Sequence, residues 1–165
     1  MQKLWESLIL KLTEILTLYQ SLLELSKRKK TILVSADTQE LDSIIRQEQS
    51  IILNLGEFEK ERQNIIKQIG ALHNVKADDL TLSQVIKLAD EDSAKRLSHL
   101  GDSLKTIGAE ITELNHINTQ LIKQALHFVN YSINILARNV ADPNYAPQGQ
   151  SSNTNQARAF IDHKV

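Results

Sequence analysis

The sequence contains no cysteine among its 165 residues. This absence excludes disulfide bonds, a thiol nucleophile and any zinc site built on cysteine ligands. It is also typical of a protein from a reducing compartment, where disulfides are rare. A secreted scaffold held together by disulfides and an enzyme with a catalytic cysteine are therefore both excluded.

Proline and glycine are scarce, with two and five residues respectively. Both prolines, Pro143 and Pro147, lie near the C-terminus, so the first 142 residues contain none. A long stretch without proline that is rich in Leu, Ile, Lys, Glu and Gln favours helix throughout. We therefore predict an all-α fold.

The chain also lacks an excess of charge of either sign, and its formal net charge is −1. No global field attracts it to nucleic acid or to an anionic membrane. Its apolar N-terminal segment is interrupted by Glu6, Lys11 and Glu14. Neither a signal-peptide core nor a membrane span tolerates charges at that density. We therefore expect a cytoplasmic protein that does not insert stably into a membrane.

Apolar residues recur at steps of three and four along three long segments, as in the helices of coiled coils. The first segment runs from about residue 2 to 34, the second from about 38 to 72, and the third from about 92 to 139. Long helices joined by short connections predict an antiparallel, coiled-coil-like three-helix bundle with a long third helix.

Local signals mark the ends of these helices. Asp37 has the character of an N-cap, with a glutamate three residues later as in a capping box. Gly70 and the polar stretch 73–79 are predicted to end the second helix. Thr81, with a glutamine three residues later, is predicted to cap a short helix over LSQVIKLA. These signals predict one short helix between two long ones.

Several polar clusters suggest chemistry, but each has a simpler interpretation. The basic run 27–30 is interpreted as a helix end whose cations complement the helix dipole, not as a nucleic-acid patch. Glu113 and His116 form one Glu-x-x-His unit, whereas di-iron bundles need two, and no second unit exists. No glycine-rich phosphate loop occurs. We therefore predict no enzyme activity and no catalytic, cofactor-binding or metal-binding residues.

The stretch QALHFVNYSINILARN, residues 124–139, carries more apolar surface than a helix needs to pack on one side of a bundle. A narrow polar stripe combines His127, Asn130, Asn134 and Arg138, which are spaced by three or four residues. The rest of the circumference is wrapped by Leu126, Phe128, Val129, Tyr131, Ile133, Ile135 and Leu136. We expect this stretch to project past the other two helices and to bind another amphipathic helix.

Two other fates of this apolar stretch stay open, namely self-association and burial within the chain. A homo-oligomeric coiled-coil scaffold is accordingly the alternative to a partner-binding protein. The last part of the chain, residues 141–165, has no apolar periodicity and is rich in Pro, Gly, Asn, Gln and Ser. We predict a helical domain over residues 1–140, followed by a flexible tail.

Two segments resemble the FlgN family of flagellar export chaperones. YQSLLELSKRKKTILVSADTQELDSIIRQEQSII, residues 19–52, resembles the first helical hairpin of that family. NTQLIKQALHFVNYSIN, residues 118–134, resembles the family's last helix. The resemblance implies a cytoplasmic chaperone that binds the helical C-terminal region of hook–filament junction proteins. It implies further that the chaperone prevents premature assembly of these hook-associated proteins and delivers them to the type III export gate.

The resemblance also implies which residues contact the partners. The client-binding candidates are Leu121, Ile122, Ala125, Leu126, Phe128, Val129, Ser132, Ile133 and Leu136. Tyr145 in the tail is the nearest match to a tyrosine that such chaperones use at the export gate. The expected state of the free chain is a monomer or a weak homodimer.

Overall fold

The computed structural model describes residues 2–75 and 80–141, with side chains through residue 138. It contains four helices, α1 (Gln2–Ser35), α2 (Thr38–His73), α3 (Leu82–Leu88) and α4 (Glu91–Ala141), and no strand within the described ranges. The all-α prediction is therefore confirmed. Ala141, the first residue of the predicted tail 141–165, belongs to α4, and the rest of that tail, with Tyr145, lies outside the described residues.

The helix ends follow the predicted signals with one exception. The Asp37 side chain accepts a hydrogen bond from the Glu40 backbone N–H at 3.0 Å, and Thr81 forms a full capping box with Gln84. However, α2 continues through Gly70 and ends at His73, so the polar stretch 73–79 ends this helix as predicted and Gly70 does not. The left-handed position that usually needs glycine falls instead on Asn74, with φ of 56°. Asparagine adopts this conformation more readily than most residues.

Ion pairs join the end of α1 to the first half of α2, and the start of α1 to the second half of α2. Lys29 Nζ lies 2.7 Å from Glu48 Oε2 near the end of α1, whereas Lys11 Nζ lies 2.6 Å from Glu61 Oε2 near its start. Arg28 also pairs with Glu40, across the connection between the helices. The two helices therefore run antiparallel. Only Arg28 and Lys29 of the basic run serve this pairing, since Lys27 pairs with Glu24 within α1. The last turn of α1 contains no basic residue, so the interpretation of the run as cations that complement the helix dipole is wrong.

Two contacts between α1 and α4 occur in the same order along both helices. Arg96 Nη1 lies 2.8 Å from Glu6 Oε1, and Asn118 Nδ2 donates a hydrogen bond to the Ser26 carbonyl at 3.0 Å. The second contact is buried, since Asn118 is 2% and Ser26 0% exposed. The Asn118 Oδ1 and Ser26 Oγ atoms have no hydrogen-bond partner among the described residues.

The main hydrophobic core lies where the start of α1, the end of α2, the start of α4 and the short helix α3 meet. It consists of Trp5, Leu8, Ile9, Leu12, Ile66, Ile69, Val85, Leu97 and Leu100. Further along, Ile111 is buried, but Leu55 and Leu104 are only half-buried although both follow the apolar pattern. The chain divides into two compact units, Met1–Leu126 and His127–Val165, and this core lies wholly within the first.

Candidate partner-binding surface

The helical residues of the second unit expose a large apolar surface. Phe128 is 68% exposed and Leu136 64%, and Val129, Tyr131, Ile133 and Ile135 are at least 40% exposed. Apolar side chains this large are rarely left in contact with water in a contiguous group unless they bind a partner. The exposed fractions of these side chains confirm that they lie in contact with solvent, as the prediction for this stretch requires.

Helix geometry arranges these side chains into two adjacent rows. Val129, Ile133 and Leu136 follow one another at steps of four and three, and so do Phe128 and Ile135 with Ser132 between them. The Ser132 hydroxyl donates a hydrogen bond to the Phe128 carbonyl at 2.9 Å. Because that donor is already satisfied within the helix, covering this face would not leave the hydroxyl hydrogen unpaired.

The polar stripe predicted opposite these rows is solvent-exposed. His127, Asn130, Asn134 and Arg138 all have exposed side chains. No Asp, Glu, Lys or Arg occurs from residue 124 to 137, so the surface carries no fixed charge over about four helical turns. A surface of this kind attracts a partner by burial of apolar area and not by electrostatic steering.

The remaining client-binding candidates lie at the end of the first unit, also on α4. Ile122, Ala125 and Leu126 are exposed, and Leu121 is half-buried. The structure thus places all nine candidates on one helix, and seven of them have exposed side chains. The two half-buried members are Leu121 and Ser132.

Burial of these side chains supplies enough free energy for association. Burying one large apolar side chain fully contributes about 1.5–3 kcal/mol. The side chains here are already partly covered, so each gives less. Several of them together still offset the loss of translational and rotational freedom, at the lower end of its range of about 4–15 kcal/mol. A helix of moderate affinity can therefore bind here without help from ion pairs.

The residues considered for metal binding do not converge. Glu113 and His116 are both exposed on α4, and the His116 Nε2 atom lies 2.9 Å from Gln120 Nε2. Across residues 2–75 and 80–141, no three His, Asp or Glu side chains are grouped closely enough to hold a metal ion. In the same ranges, no helix is both long and apolar enough to cross a membrane.

A concave surface in the first unit was not predicted from the sequence. A cavity of about 300 Å³ opens between α2 and α4, with Leu12, Ile15 and Tyr19 of α1 contributing to its lining. The sequence signal for it is Gly108, a helix-weakening residue within the long helix α4.

The chain is similar to a known protein family and to a known protein. The family model described as "FlgN protein" matches residues 1–153 of the chain. The chain is also 28% identical, over 141 residues, to the uncharacterized protein YvyG of Bacillus subtilis (strain 168), an alignment that covers 86% of each protein. No solved structure matches the chain.

Proposed function

Because the chain belongs to the FlgN family of flagellar export chaperones, we propose that it binds the helical C-terminal region of hook–filament junction proteins in the cytoplasm. Binding keeps these hook-associated subunits from assembling prematurely, and the chaperone then delivers them to the type III export gate. The observation that supports this proposal is the exposed apolar surface of residues 126–136, a range without Asp, Glu, Lys or Arg. A helix is the natural ligand of such a surface.

The nine candidates from Leu121 to Leu136 form the client-binding surface in this proposal. An amphipathic client helix lies along α4 and covers the two apolar rows, while the polar stripe with Asn130 stays in water. Tyr145 contacts the export gate, an assignment that rests on the family resemblance alone. Separate residues for the client and the gate allow both to be bound at once.

The framework of this proposal is an antiparallel three-helix bundle. The reversed order of ion pairs between α1 and α2, and the matching order of contacts between α1 and α4, support an up-down-up arrangement. In that arrangement α4, with 51 residues against 34 and 36 in the other long helices, is long enough to supply both bundle contacts and a client surface.

A size measurement of the purified chain, alone and with a full-length junction protein, tests this function. We expect a monomer or weak homodimer that forms a stable heterocomplex with the junction protein, seen by sedimentation velocity. A stable homodimer that ignores the junction protein would contradict the chaperone function and favour the homo-oligomeric scaffold. Lysozyme of similar mass is a suitable control for non-specific association.

A further inference from the structure

The cavity between α2 and α4 is a groove formed by the three long helices, with Leu82 of α3 at one end. Ile15 and Tyr19 of α1 form its floor, and Glu59 of α2 belongs to one wall. These three residues also line a second cavity of about 280 Å³, which continues the first along α2 past Leu55 and Gly56. The groove therefore runs along the helix axes and is not a closed hole.

Glycine opens both walls of this groove. A Cβ atom built on Gly56 of α2 or on Gly108 of α4 would meet no described atom within 4 Å outside its own chain neighbours and helix backbone. Glycine within a helix costs about 1 kcal/mol relative to alanine. Neither residue has a positive φ or a close neighbour that requires glycine. The packing of the described residues therefore gives no reason for either glycine, and both leave room for a side chain from outside.

The chain itself shows what fits against this wall. Gly101 lies on the same side of α4 as Gly108, seven residues earlier, and a Cβ on it would lie 2.7 Å from Leu82 Cδ2 of α3. A leucine from a helix thus fills the position of the missing Gly101 side chain. Leu82 also lines one end of the cavity of about 300 Å³. The short helix α3 therefore covers one end of the groove, and the equivalent space at Gly108 stays empty.

Two exposed isoleucines extend this side of α2 beyond the groove, as a strip from Ile45 to Arg62. Ile45, Ile52 and Glu59 are spaced by seven residues and so face the same side of the helix. Ile45 and Ile52 are both exposed. From Ile45 to Arg62 the strip is about 26 Å long at 1.5 Å per residue. This length suits a helix of about 17 residues, whereas a small molecule would occupy only a part of it.

Charge on the groove is uneven. Glu59 and Arg62 neutralise each other, with Arg62 Nε donating to Glu59 Oε2 at 2.7 Å. Lys105, on the opposite wall, has no carboxylate within ion-pair distance among the described residues. An acidic side chain on the occupant would meet this lysine.

We propose that this groove binds a second amphipathic helix of the same client. That helix extends the layer begun by α3, places a leucine-sized side chain in the space at Gly108, and presents an acidic residue to Lys105. The inference rests on the chaperone function proposed above. It adds a client contact that shares none of the residues from Leu121 to Leu136.

Because the chain has no cysteine, a single introduced thiol reports occupancy of the groove. In Gly108→Cys, addition of full-length junction protein should slow alkylation by a maleimide by about tenfold or more, as expected when a helix covers the site. Ala109→Cys, the next residue on the exposed outer side of α4, is the matched control and should react at the same rate with and without the junction protein.

The result separates this inference from the function on which it rests. If the junction protein binds but the thiol of Gly108→Cys stays equally reactive, the groove is not a client site while the chaperone function stands. If the junction protein fails to bind the unmodified chain, the function itself fails. Protection that appears without client and grows with chain concentration would assign the groove to a second copy, and would overturn the proposal.

A second variant tests the same site by affinity. Gly108→Leu fills the space in the groove from within the chain, so the client should bind about tenfold more weakly. Ala109→Leu adds the same bulk outside the groove and should leave the affinity unchanged. Equal affinity for the two variants, both of which should remain helical by circular dichroism, would contradict the proposal.

Discussion

Replacing Asn118 by leucine should stabilise the protein, although it removes a buried hydrogen bond between α1 and α4. The lost bond from Asn118 Nδ2 to the Ser26 carbonyl contributes about 0.5–1.5 kcal/mol net. The Ser26 carbonyl lies within α1 and keeps its helical hydrogen bond. The cost of losing Asn118 is therefore limited to that one interaction.

Two stronger effects favour the leucine variant. The Asn118 Oδ1 atom is buried without a partner among the described residues, and such an atom costs about 1–3 kcal/mol. A buried leucine side chain adds about 1.5–3 kcal/mol of apolar transfer free energy. After allowance for imperfect packing of the new side chain, we expect the free energy of unfolding to rise by about 1–3 kcal/mol.

Urea denaturation monitored by circular dichroism measures this change. Asn118→Asp is the matched control, since it keeps the size but buries an unpaired carboxylate. It should lower the free energy of unfolding by several kcal/mol at pH 7, and by less in acid, where the carboxyl is protonated. A loss of about 1 kcal/mol or more in Asn118→Leu would refute the reasoning, because Asn118 would then contribute more than the one hydrogen bond identified here.

Three further changes test the packing of the first unit. Leu97→Ala, at a residue that is 0% exposed, should lower the free energy of unfolding by about 2–5 kcal/mol in the same denaturation assay; a change below about 0.5 kcal/mol would contradict its place in the core. Lys29→Met leaves the mostly buried Glu48 carboxylate unpaired and should cost about 2 kcal/mol, whereas Arg46→Met, in a pair with an exposed Asp42, should cost under about 0.5 kcal/mol. The hydrogen bond from Arg62 lowers the pKa of Glu59 in the folded protein. The ionised carboxylate therefore stabilises the fold at pH values above the unfolded-state pKa of Glu59. This stabilisation is lost as the pH falls through the lower folded-state pKa. Glu59→Gln should therefore be less stable than the wild type at pH 7 and equal to it in strong acid; a constant difference across this range would contradict the pairing.

Features set by local sequence were predictable. The caps at Asp37 and Thr81 each depend on residues no more than three positions apart, and the structure contains both. The apolar excess of residues 124–139 was predictable for the same reason, because it follows from the period of a single helix. Phe128 and its neighbours are exposed because no other described segment covers them.

Features that depend on how helices pair were not predictable from the sequence. The carboxylates that bind Arg28 and Lys29 lie 12 and 19 residues away on α2, so the local sequence favours a solvated helix end for the basic run. Asn118 follows the apolar pattern, but its contact with Ser26 depends on the register between α1 and α4. Leu104 also follows the apolar pattern, which predicts a core residue. It lines the groove instead, because α3 covers only one end of that groove.

The central claim is that the exposed apolar surface of α4 binds the client, and titration calorimetry with a full-length junction protein tests it most directly. Phe128→Glu and Ile133→Glu should abolish measurable binding, because a charge buried unpaired in a helix–helix contact costs several kcal/mol. Both should keep the melting temperature of the wild type, since these side chains are exposed in the free chain. Asn130→Glu, on the polar stripe, should bind nearly as the wild type does. Normal binding by Phe128→Glu, or unfolding of that variant while the client still binds milder ones, would contradict the account.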